Sequence, residues 1–383
     1  MKKGMSMKKT QWILSFMLLT ALSVQAAQAS GEYSIPAISE EAFVSPVPTP
    51  MRSNAFVGYE LYLTDYISDG YLLESVDILD SDQNGDILRT YSGEELESCT
   101  ITYNPDKLKY GIVLLLWPSF DSMDDIPAVL AHRLTFTDSH GETIIIGGPQ
   151  VAISDNPPVV LSPPLAGDNW QAVNGPSNFD RHHRSAVVSF KGNLCIAQRF
   201  AVDWMQLGPD GNLFSGDGTH NTDYYCYGTE LLAVADGIVI DCKDGIPEHR
   251  VDEGMPIPPT SQTVLGNFVI LDIGNGLYAF YAHLQPGSVN VQIGDEVSAG
   301  DVIGLLGNTG MSTAPHLHFH VEDTSSIIAG QGVPYVLESY ELQGTVPVSV
   351  DSQFLMEYSW SENDFPETIE GKFFMDNNVV NFP

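Results

Sequence analysis

Three histidines alternate with apolar residues in the segment 315–321, which reads PHLHFHV. Successive side chains of a β-strand point to opposite faces, so His316, His318 and His320 share one face while the apolar residues face a core. Neutral imidazoles in a row suit zinc binding and proton transfer. The pattern predicts a strand with a chemically active histidine face, and a solvated strand that happens to be rich in histidine is the alternative.

A fourth histidine, His283, ends a second predicted strand that begins near Leu277. Between it and the triple-histidine strand lies a hairpin punctuated by glycine, with the run GDEVSAGDVIG at 294–304 and the turn GNTG at 307–310. Glycine at such intervals marks tight turns between short strands. A hairpin of this kind closes a small barrel-like β-sheet.

Four motifs follow one another in the order and spacing of the lysostaphin-type (LytM-like) zinc endopeptidases, which this part of the chain resembles. The upstream run AVADGIV at 233–239 is also similar to that family's strand before the site. The resemblance covers roughly residues 181–323. It implies an antiparallel β fold with one zinc ion in a groove, and cleavage of peptide bonds in bacterial cell-wall peptidoglycan. The four motifs are AHL at 282–284, GxxVxxGxxIG at 294–304, GNTG at 307–310 and HLHF at 316–319.

The resemblance also implies roles for individual residues. His318 matches the family's metal-ligand histidine, and Asp203 matches its aspartate ligand. His316 and His283 match the two histidines that work on the attacking water and the developing oxyanion. The family's aspartate normally has another histidine ligand four positions earlier, and this sequence has Arg199 there.

Two adjacent histidines, His182 and His183, are candidates for the missing ligand. They precede a predicted hairpin turn, KGN at 191–193. If the chain folds back at this turn, the residues that pair across the hairpin have numbers that sum to about 383–385. One of the two histidines would then lie on the same face as Asp203, and the Cβ atoms of such cross-strand neighbours are roughly 5 Å apart. We favour His183, which a three-residue loop puts opposite Ala201. The remaining candidates for the third ligand are His182 and His320.

Catalytic zinc (Zn²⁺) usually keeps three protein ligands and one open position for water. Asp203, His318 and His183 would supply that set. Zinc lowers the pKa of water toward ~7 and polarises a scissile carbonyl. His283 or His316 would take the water proton, and the other would stabilise the oxyanion. The expected activity is that of a zinc-dependent metalloendopeptidase acting on peptidoglycan peptides or another peptide substrate.

The alternative is a catalytically inactive family member that binds cell wall or regulates a partner hydrolase. In that hypothesis Arg199 pairs with Asp203, and its guanidinium occupies the metal position. The retained histidines favour the enzyme, because a site released from catalysis has no chemical reason to keep them. They are His283, His316 and His318.

A carrier domain is a third possibility, because the run at 294–304 resembles the swivelling hairpin domains that carry biotin or lipoate. Those domains need an exposed lysine at a hairpin tip. The sequence has no lysine between Lys243 and Lys372. This possibility is therefore excluded.

Residues 1–29 have the pattern of a signal peptide, with a basic start, a short apolar run at 12–22 and the small-x-small site AQA at 27–29. The apolar run is too short to span a bilayer comfortably, and no later stretch approaches the ~20 apolar residues that a spanning helix needs. We therefore expect a secreted or periplasmic protein with no membrane insertion after signal cleavage.

The rest of the chain predicts an all-β protein of two domains. Residues 30–159 show short strands separated by turn clusters, which is typical of an antiparallel β-sandwich. A Pro-rich linker at 160–178 follows, then the peptidase domain at 179–335 and a C-terminal segment at 336–383 that packs on it. His132, His140 and His220 are expected to be structural or loop residues. The clearest predicted strands are Glu60–Leu63, Gly111–Leu116, Arg133–Phe136, Thr143–Ile146, Leu231–Ile240, Asn267–Asp272, Leu277–Ala282 and Val302–Leu306.

The formal net charge of −33 argues against direct nucleic-acid binding, which needs basic stripes. Most of the acidic residues are expected to form a solvated surface. The four cysteines match no CxxC-type zinc pattern. An exported chain permits disulfides, and a bond from Cys195 to Cys226 or Cys242 would staple the second domain.

Overall fold

The computed structural model describes residues 41–42, 44–64, 71–82, 84–103, 111–177, 182–191, 193–253, 260–347 and 361–383. The predicted signal peptide lies outside these residues and stays a prediction. Among the described residues, no helix is both long and apolar enough to cross a membrane.

The first part of the described chain consists of short strands with one six-residue helix, α1 Gly93–Ser98. Its strands are β1 Glu41–Ala42, β2 Thr49–Pro50, β3 Ala55–Phe56, β4 Tyr59–Thr64, β5 Leu72–Asp80, β6 Ile87–Ser92, β7 Thr100–Tyr103, β8 Gly111–Leu116, β9 Ser119–Phe120, β10 Val129–Thr137, β11 Thr143–Gly147 and β12 Val151–Ala152.

These strands form two main antiparallel sheets in the orders β1-β4-β8-β7 and β11-β10-β5-β6, with β12 beside β10 and a small sheet β2-β3-β9. Both main sheets contribute to one hydrophobic core, in which Leu61 and Val113 from the first sheet join Val76 and Leu134 from the second. The apolar run of β8 is buried along its whole length, as expected for a strand covered on both faces. We call residues 41–152 the sandwich.

The second part is built on one long sheet in the order β13-β25-β27-β14-β17-β24-β21-β20-β19-β22, with β26 beside β25. The pair β13–β25 is parallel and the other pairs in this order are antiparallel. Two small sheets, β15-β16 and β18-β23, are separate from this long sheet. The strands of this second part are β13 Val159–Leu161, β14 Gly167–Val173, β15 Val188–Phe190, β16 Asn193–Cys195, β17 Val202–Gln206, β18 Glu230–Leu232, β19 Gly237–Lys243, β20 Asn267–Asp272, β21 Tyr278–Leu284, β22 Glu296–Val297, β23 Val302–Leu305, β24 Leu317–Glu322, β25 Tyr335–Thr345, β26 Ser361–Lys372 and β27 Asn378–Phe382. Short 3₁₀ turns lie at Met123–Asp125, Asn221–Asp223 and Val251–Glu253.

The all-β fold class is confirmed. Within the span predicted as a linker, residues 160–178, the structure contains β14, which pairs with both β17 and β27. Strands from the C-terminal segment lie in the same sheet as the strand that carries Asp203. The domain boundaries themselves stay a prediction.

The predicted hairpin about residue 192 forms, since Val188 pairs with Cys195 and Phe190 with Asn193. The predicted continuation of that hairpin to Asp203 is wrong. Asp203 pairs instead with Val173 on one side and His318 on the other. Because both edges of β17 are occupied, the segment 182–185 cannot pair there, and it forms a turn.

All four cysteines lie in the described part of the chain, and none of them forms a disulfide. The proposed bond from Cys195 to Cys226 or Cys242 is therefore wrong in this structure. Cys195 directs its thiol to the carbonyl of Ala329, and Cys226 directs its own to the carbonyl of Pro315. The two thiols thus contact different segments of the chain.

His132 is fully buried in the sandwich, and both ring nitrogens have partners. Nδ1 lies 2.6 Å from the Pro149 carbonyl and Nε2 lies 2.8 Å from the Tyr59 hydroxyl. The carbonyl accepts from Nδ1–H, so Nε2 of the neutral ring accepts from the tyrosine. Burial lowers the pKa of His132 to about 4. The residue therefore has the structural role expected of it.

This buried neutral ring predicts an acid sensitivity of folding. As the pH falls, His132 takes up a proton in the unfolded chain before it does so in the folded protein, because burial lowers its pKa only in the folded state. The contribution of His132 to the free energy of unfolding is therefore complete above pH 6.5 and decreases by about 3 kcal/mol as the pH falls to 4. Urea unfolding at several pH values should show this loss in the wild type and not in His132→Gln, which lacks a titrating ring. Parallel pH profiles for the two proteins would contradict the prediction.

Candidate metal centre

The triple-histidine strand lies in the middle of the long sheet, between β17 and β21. His318 stands opposite Asp203 on β17 and opposite Ala282 on β21. The alternate residues pack into the main core, as the sequence pattern predicts, and the histidines occupy the other face. The core residues of β24 are Leu317, Phe319 and Val321.

The carboxylate of Asp203 is the centre of a cluster of imidazoles. Its Oδ1 lies 2.9 Å from His318 Nδ1, 3.3 Å from His183 Nε2 and 3.4 Å from His316 Nε2. Its Oδ2 accepts a hydrogen bond of 2.7 Å from the Asn174 amide. Burial alone would raise the pKa of Asp203, but the neighbouring His183 and His316 hold it well below its usual value. Asp203 is therefore an anion aimed at three ring nitrogens.

His183 reaches this carboxylate from the turn at 182–185. Its Nδ1 lies 3.0 Å from the carbonyl of Asn174, so the carbonyl accepts from Nδ1–H and Nε2 is the ring nitrogen that faces Asp203. Asn174 thus orients a histidine with its carbonyl and the aspartate with its side chain. Such outer contacts fix the tautomer and direction of metal-binding imidazoles.

His316 and His283 are likewise oriented by hydrogen bonds from Nδ1 to backbone carbonyls. His316 Nδ1 lies 2.8 Å from the Ala314 carbonyl, and His283 Nδ1 lies 2.7 Å from the Thr309 carbonyl. Their ring centroids are 4.8 Å apart. His283 has a φ of +68°, a left-handed conformation that is uncommon outside glycine and that collects at functional sites. His316 Nε2 faces Asp203 Oδ1 at 3.4 Å, and Nε2 of His283 is the ring nitrogen left to meet a substrate or a water molecule.

A relay of side chains lies behind His318. His318 Nε2 is 3.0 Å from His320 Nδ1, and His320 Nε2 is 2.7 Å from Glu322 Oε1. Burial lowers the pKa of His320 to about 3, and burial together with Asp323 raises the pKa of Glu322 to about 9, so this contact joins two uncharged groups. Since His320 also stacks on Phe280, its position supports His318 rather than Asp203.

The donor atoms around Asp203 suit a zinc ion. A tetrahedral zinc site with bonds of about 2.0–2.2 Å separates its ligand atoms by about 3.3 Å, close to the distances from Asp203 Oδ1 to His318 and His183. Imidazole nitrogens with one carboxylate oxygen are ligands that zinc prefers. Two sets of closely spaced donors meet here, and they are His182, His183, Asp203 and His283, His316, His318.

Arg199, which stands where the family resemblance implies a histidine ligand, is turned away from the cluster. Its Nε lies 2.8 and 2.9 Å from the two carboxylate oxygens of Glu60, and the side chains of both residues are fully buried. Its Nη1 donates to the Gly332 carbonyl. The pairing of Arg199 with Asp203 that the inactive alternative requires is therefore wrong.

Three further histidines are not among the imidazoles that surround the carboxylate of Asp203. His182 is exposed beside His183, with ring centroids 4.9 Å apart. His220 lies in the loop before the 3₁₀ turn at Asn221–Asp223, as expected for a loop residue. His140 is exposed beside Asp138.

Three contributors to this site were missed by the sequence reasoning. Glu322 continues the alternation of the histidine face, so the period of two could have found it. Asn174 is followed by Gly175, and this pair predicts a turn. It does not predict that Asn174 contacts Asp203. Glu60 carries no local signal, because its role depends on a contact 139 residues away along the chain.

A sequence model described as peptidase family M23 matches residues 220–329. The matched segment contains His283, His316 and His318, while His183 and Asp203 precede it.

Two curated relatives are similar to parts of this chain. The peptidoglycan DD-endopeptidase ShyA of Vibrio cholerae is 30% identical over 127 residues, which are 33% of this chain and 28% of the relative. The glycyl-glycine endopeptidase ALE-1 of Staphylococcus capitis is 49% identical over 107 residues, which are 27% of this chain and 25% of the relative. This chain thus spans about a quarter of the length of each relative.

Among solved structures, the catalytic domain of lysostaphin from Staphylococcus simulans is 23% identical, with a TM-score of 0.24, and the match covers 43% of this chain and 88% of that one. The family match and the two relatives agree with the motifs that the sequence presents. The chain therefore carries a peptidase family M23 domain of the lysostaphin (LytM-like) type.

Proposed function

We propose that this protein is an exported zinc metalloendopeptidase that cleaves peptide bonds in bacterial peptidoglycan. The observation that carries the proposal is the convergence of His183, His316 and His318 on one oxygen of Asp203. The two relatives are named for the cleavage of peptidoglycan and of glycyl-glycine bonds, which favours cell-wall peptides as the substrate class. The sequence pattern of residues 1–29 supports export to a secreted or periplasmic location.

In this proposal Asp203, His318 and His183 hold the zinc ion. When bound, zinc would lower the pKa of a water molecule and polarise the scissile carbonyl. Backbone carbonyls engage Nδ1 of His283 and of His316, so Nε2 is the nitrogen through which each ring would act. One of them accepts the proton of the attacking water at Nε2, and the other, protonated on both ring nitrogens, donates a hydrogen bond from Nε2–H to the developing oxyanion.

The inactive alternative is weakened by the position of Arg199. The guanidinium is held by Glu60 in a buried ion pair, so the carboxylate of Asp203 is left to the histidines. A second observation against inactivity is the orientation of the proposed ligand His183 by the carbonyl of Asn174. Oriented rings of this kind are what a metal site needs.

The activity is tested with the purified mature protein, residues 30–383, and isolated peptidoglycan. We expect new amino groups to appear as peptide bonds break, with no release after treatment with a chelator and full recovery after addition of zinc. Mass spectrometry of the fragments would distinguish cleavage of stem-peptide cross-links from cleavage of glycine bridges. A protein that sediments with peptidoglycan but releases no amino groups in the presence of zinc would favour the inactive alternative.

A further inference from the structure

The proposed third ligand comes from a turn rather than from a strand. Asp203 and His318 lie on neighbouring strands in the middle of the sheet, which fixes their positions. His183 lies in the turn at 182–185, outside the sheet. Loops are generally more mobile than the elements they connect. The segment 182–199 therefore needs other contacts to keep His183 beside Asp203.

One such contact is made by the residue that follows His183. Arg184 is buried, and its guanidinium lies over the ring of Trp117 at 4.6 Å from the centroid. It donates to the carbonyl of Ser177 at 2.9 Å and to the carbonyl of Leu116 at 3.5 Å. Leu116 is the last residue of β8 and Trp117 follows it, so the sandwich contacts the histidine turn directly.

The middle of the segment packs on the sandwich as well. Leu194 and Ile196 belong to the hydrophobic core of the sandwich, and Val187 packs against its edge. The hairpin of β15 and β16 is therefore attached to the sandwich by apolar contacts, although it lies between β14 and β17 in the sequence.

The far end of the segment is held by the buried ion pair of Arg199 with Glu60 on β4. The guanidinium also donates to the Gly332 carbonyl and to the Gln331 side chain at 2.8–2.9 Å. A buried ion pair is a poor source of net stability, but its geometry is demanding, so it fixes the relative position of the elements it joins.

We propose that the sandwich is a positioning element of the metal centre, in which Arg184 and the Arg199–Glu60 pair hold the segment 182–199 so that His183 meets Asp203. The inference rests on the proposed zinc site. Neither arginine contacts the substrate or the metal in this account. They act through His183, and their loss is expected to lower zinc affinity rather than to remove a chemical group.

The test compares Arg184→Met with Arg133→Met in the mature protein. Arg133 also lies in the sandwich and pairs with Asp77 at 2.7 Å, but it is not among the contacts that hold the His183 segment. The zinc dissociation constant of each metal-free protein is measured by competition with a chromophoric chelator, at a temperature where its unfolding curve shows it folded. We expect zinc to bind about 10–100-fold more weakly in Arg184→Met and within about twofold of the wild type in Arg133→Met.

Arg184→Lys is the second variant in case the methionine protein does not fold. It keeps the positive charge but cannot reproduce the planar stacking and forked hydrogen bonds of arginine, so we expect zinc to bind at least about threefold more weakly. Folded variants of Arg184 with wild-type zinc affinity would overturn this inference and leave the proposed function standing. A wild-type protein that binds no zinc would overturn the proposed function, and this inference with it.

Discussion

Replacing Asp203 by alanine is expected to weaken zinc binding at least about 100-fold and to abolish the release of amino groups from peptidoglycan. Asp203 is the proposed anionic ligand, and its Oδ1 lies within 3.4 Å of three imidazoles. The substitution removes both a ligand and the negative charge that balances the charge of the metal ion. The loss of zinc affinity should therefore exceed the ~10–100-fold loss that is typical of residues that only orient ligands. Equilibrium dialysis with zinc and the amino-group assay measure the two losses.

The matched control for this variant is Asp77→Ala. Asp77 is also a buried carboxylate with a basic partner, Arg133, but it lies in the sandwich. Its variant should keep wild-type zinc affinity, whatever stability it loses. If Asp203→Ala bound zinc as tightly as the wild type, the ion would have to be held by the other set of donors. Those donors are His283, His316 and His318.

Alanine at His283 or at His316 is expected to lower the rate of hydrolysis by about 10²–10⁴-fold, the range for loss of a positioned acid or base. Zinc should be retained in both variants, because neither ring belongs to the proposed ligand set. The decisive readout is thus a pair of measurements on each variant, the rate with saturating zinc and the zinc content.

His140→Ala serves as the control for loss of an imidazole, since His140 is exposed in the sandwich. It should retain both the wild-type rate and zinc. Loss of zinc in His283→Ala would make His283 a ligand rather than an acid or base. Full activity in both His283→Ala and His316→Ala would remove the proposed catalytic roles altogether.

The strand and its histidine face could be predicted from sequence because alternation is a local property of the chain. A period of two places His316 and His318 on one face whatever the strand packs against, and the apolar residues between them require a core. Strands such as Asn267–Asp272 were found with their actual limits for the same reason. The motifs near these strands also pointed to the peptidase family.

The position of His183 was expected for a reason that the structure does not support. Simple hairpin geometry holds from Val188 to Cys195 and then ends, because β17 takes both of its neighbours from distant parts of the sequence. His183 nevertheless lies 3.3 Å from Asp203, brought there by Asn174 and by the sandwich. Contacts between residues that lie far apart in the sequence leave no recognisable pattern in the local sequence.

The partner of Arg199 was beyond sequence reasoning for a related reason. It lies four positions before Asp203 in the sequence, and this spacing suggested a local pairing of opposite charges. The actual partner, Glu60, is on another sheet and is as deeply buried as the arginine. Burial excludes water from both groups, so each must find the other for the fold to form.

The central claim is that His183, supplied by a turn, completes a zinc site with Asp203 and His318. Its most direct test is the zinc content of purified wild-type protein and of His183→Ala, measured side by side by mass spectrometry of the metal. We predict about one zinc ion per chain in the wild type and a small fraction of that in the variant. Equal zinc content in the two proteins, or a wild type without zinc, would contradict the account.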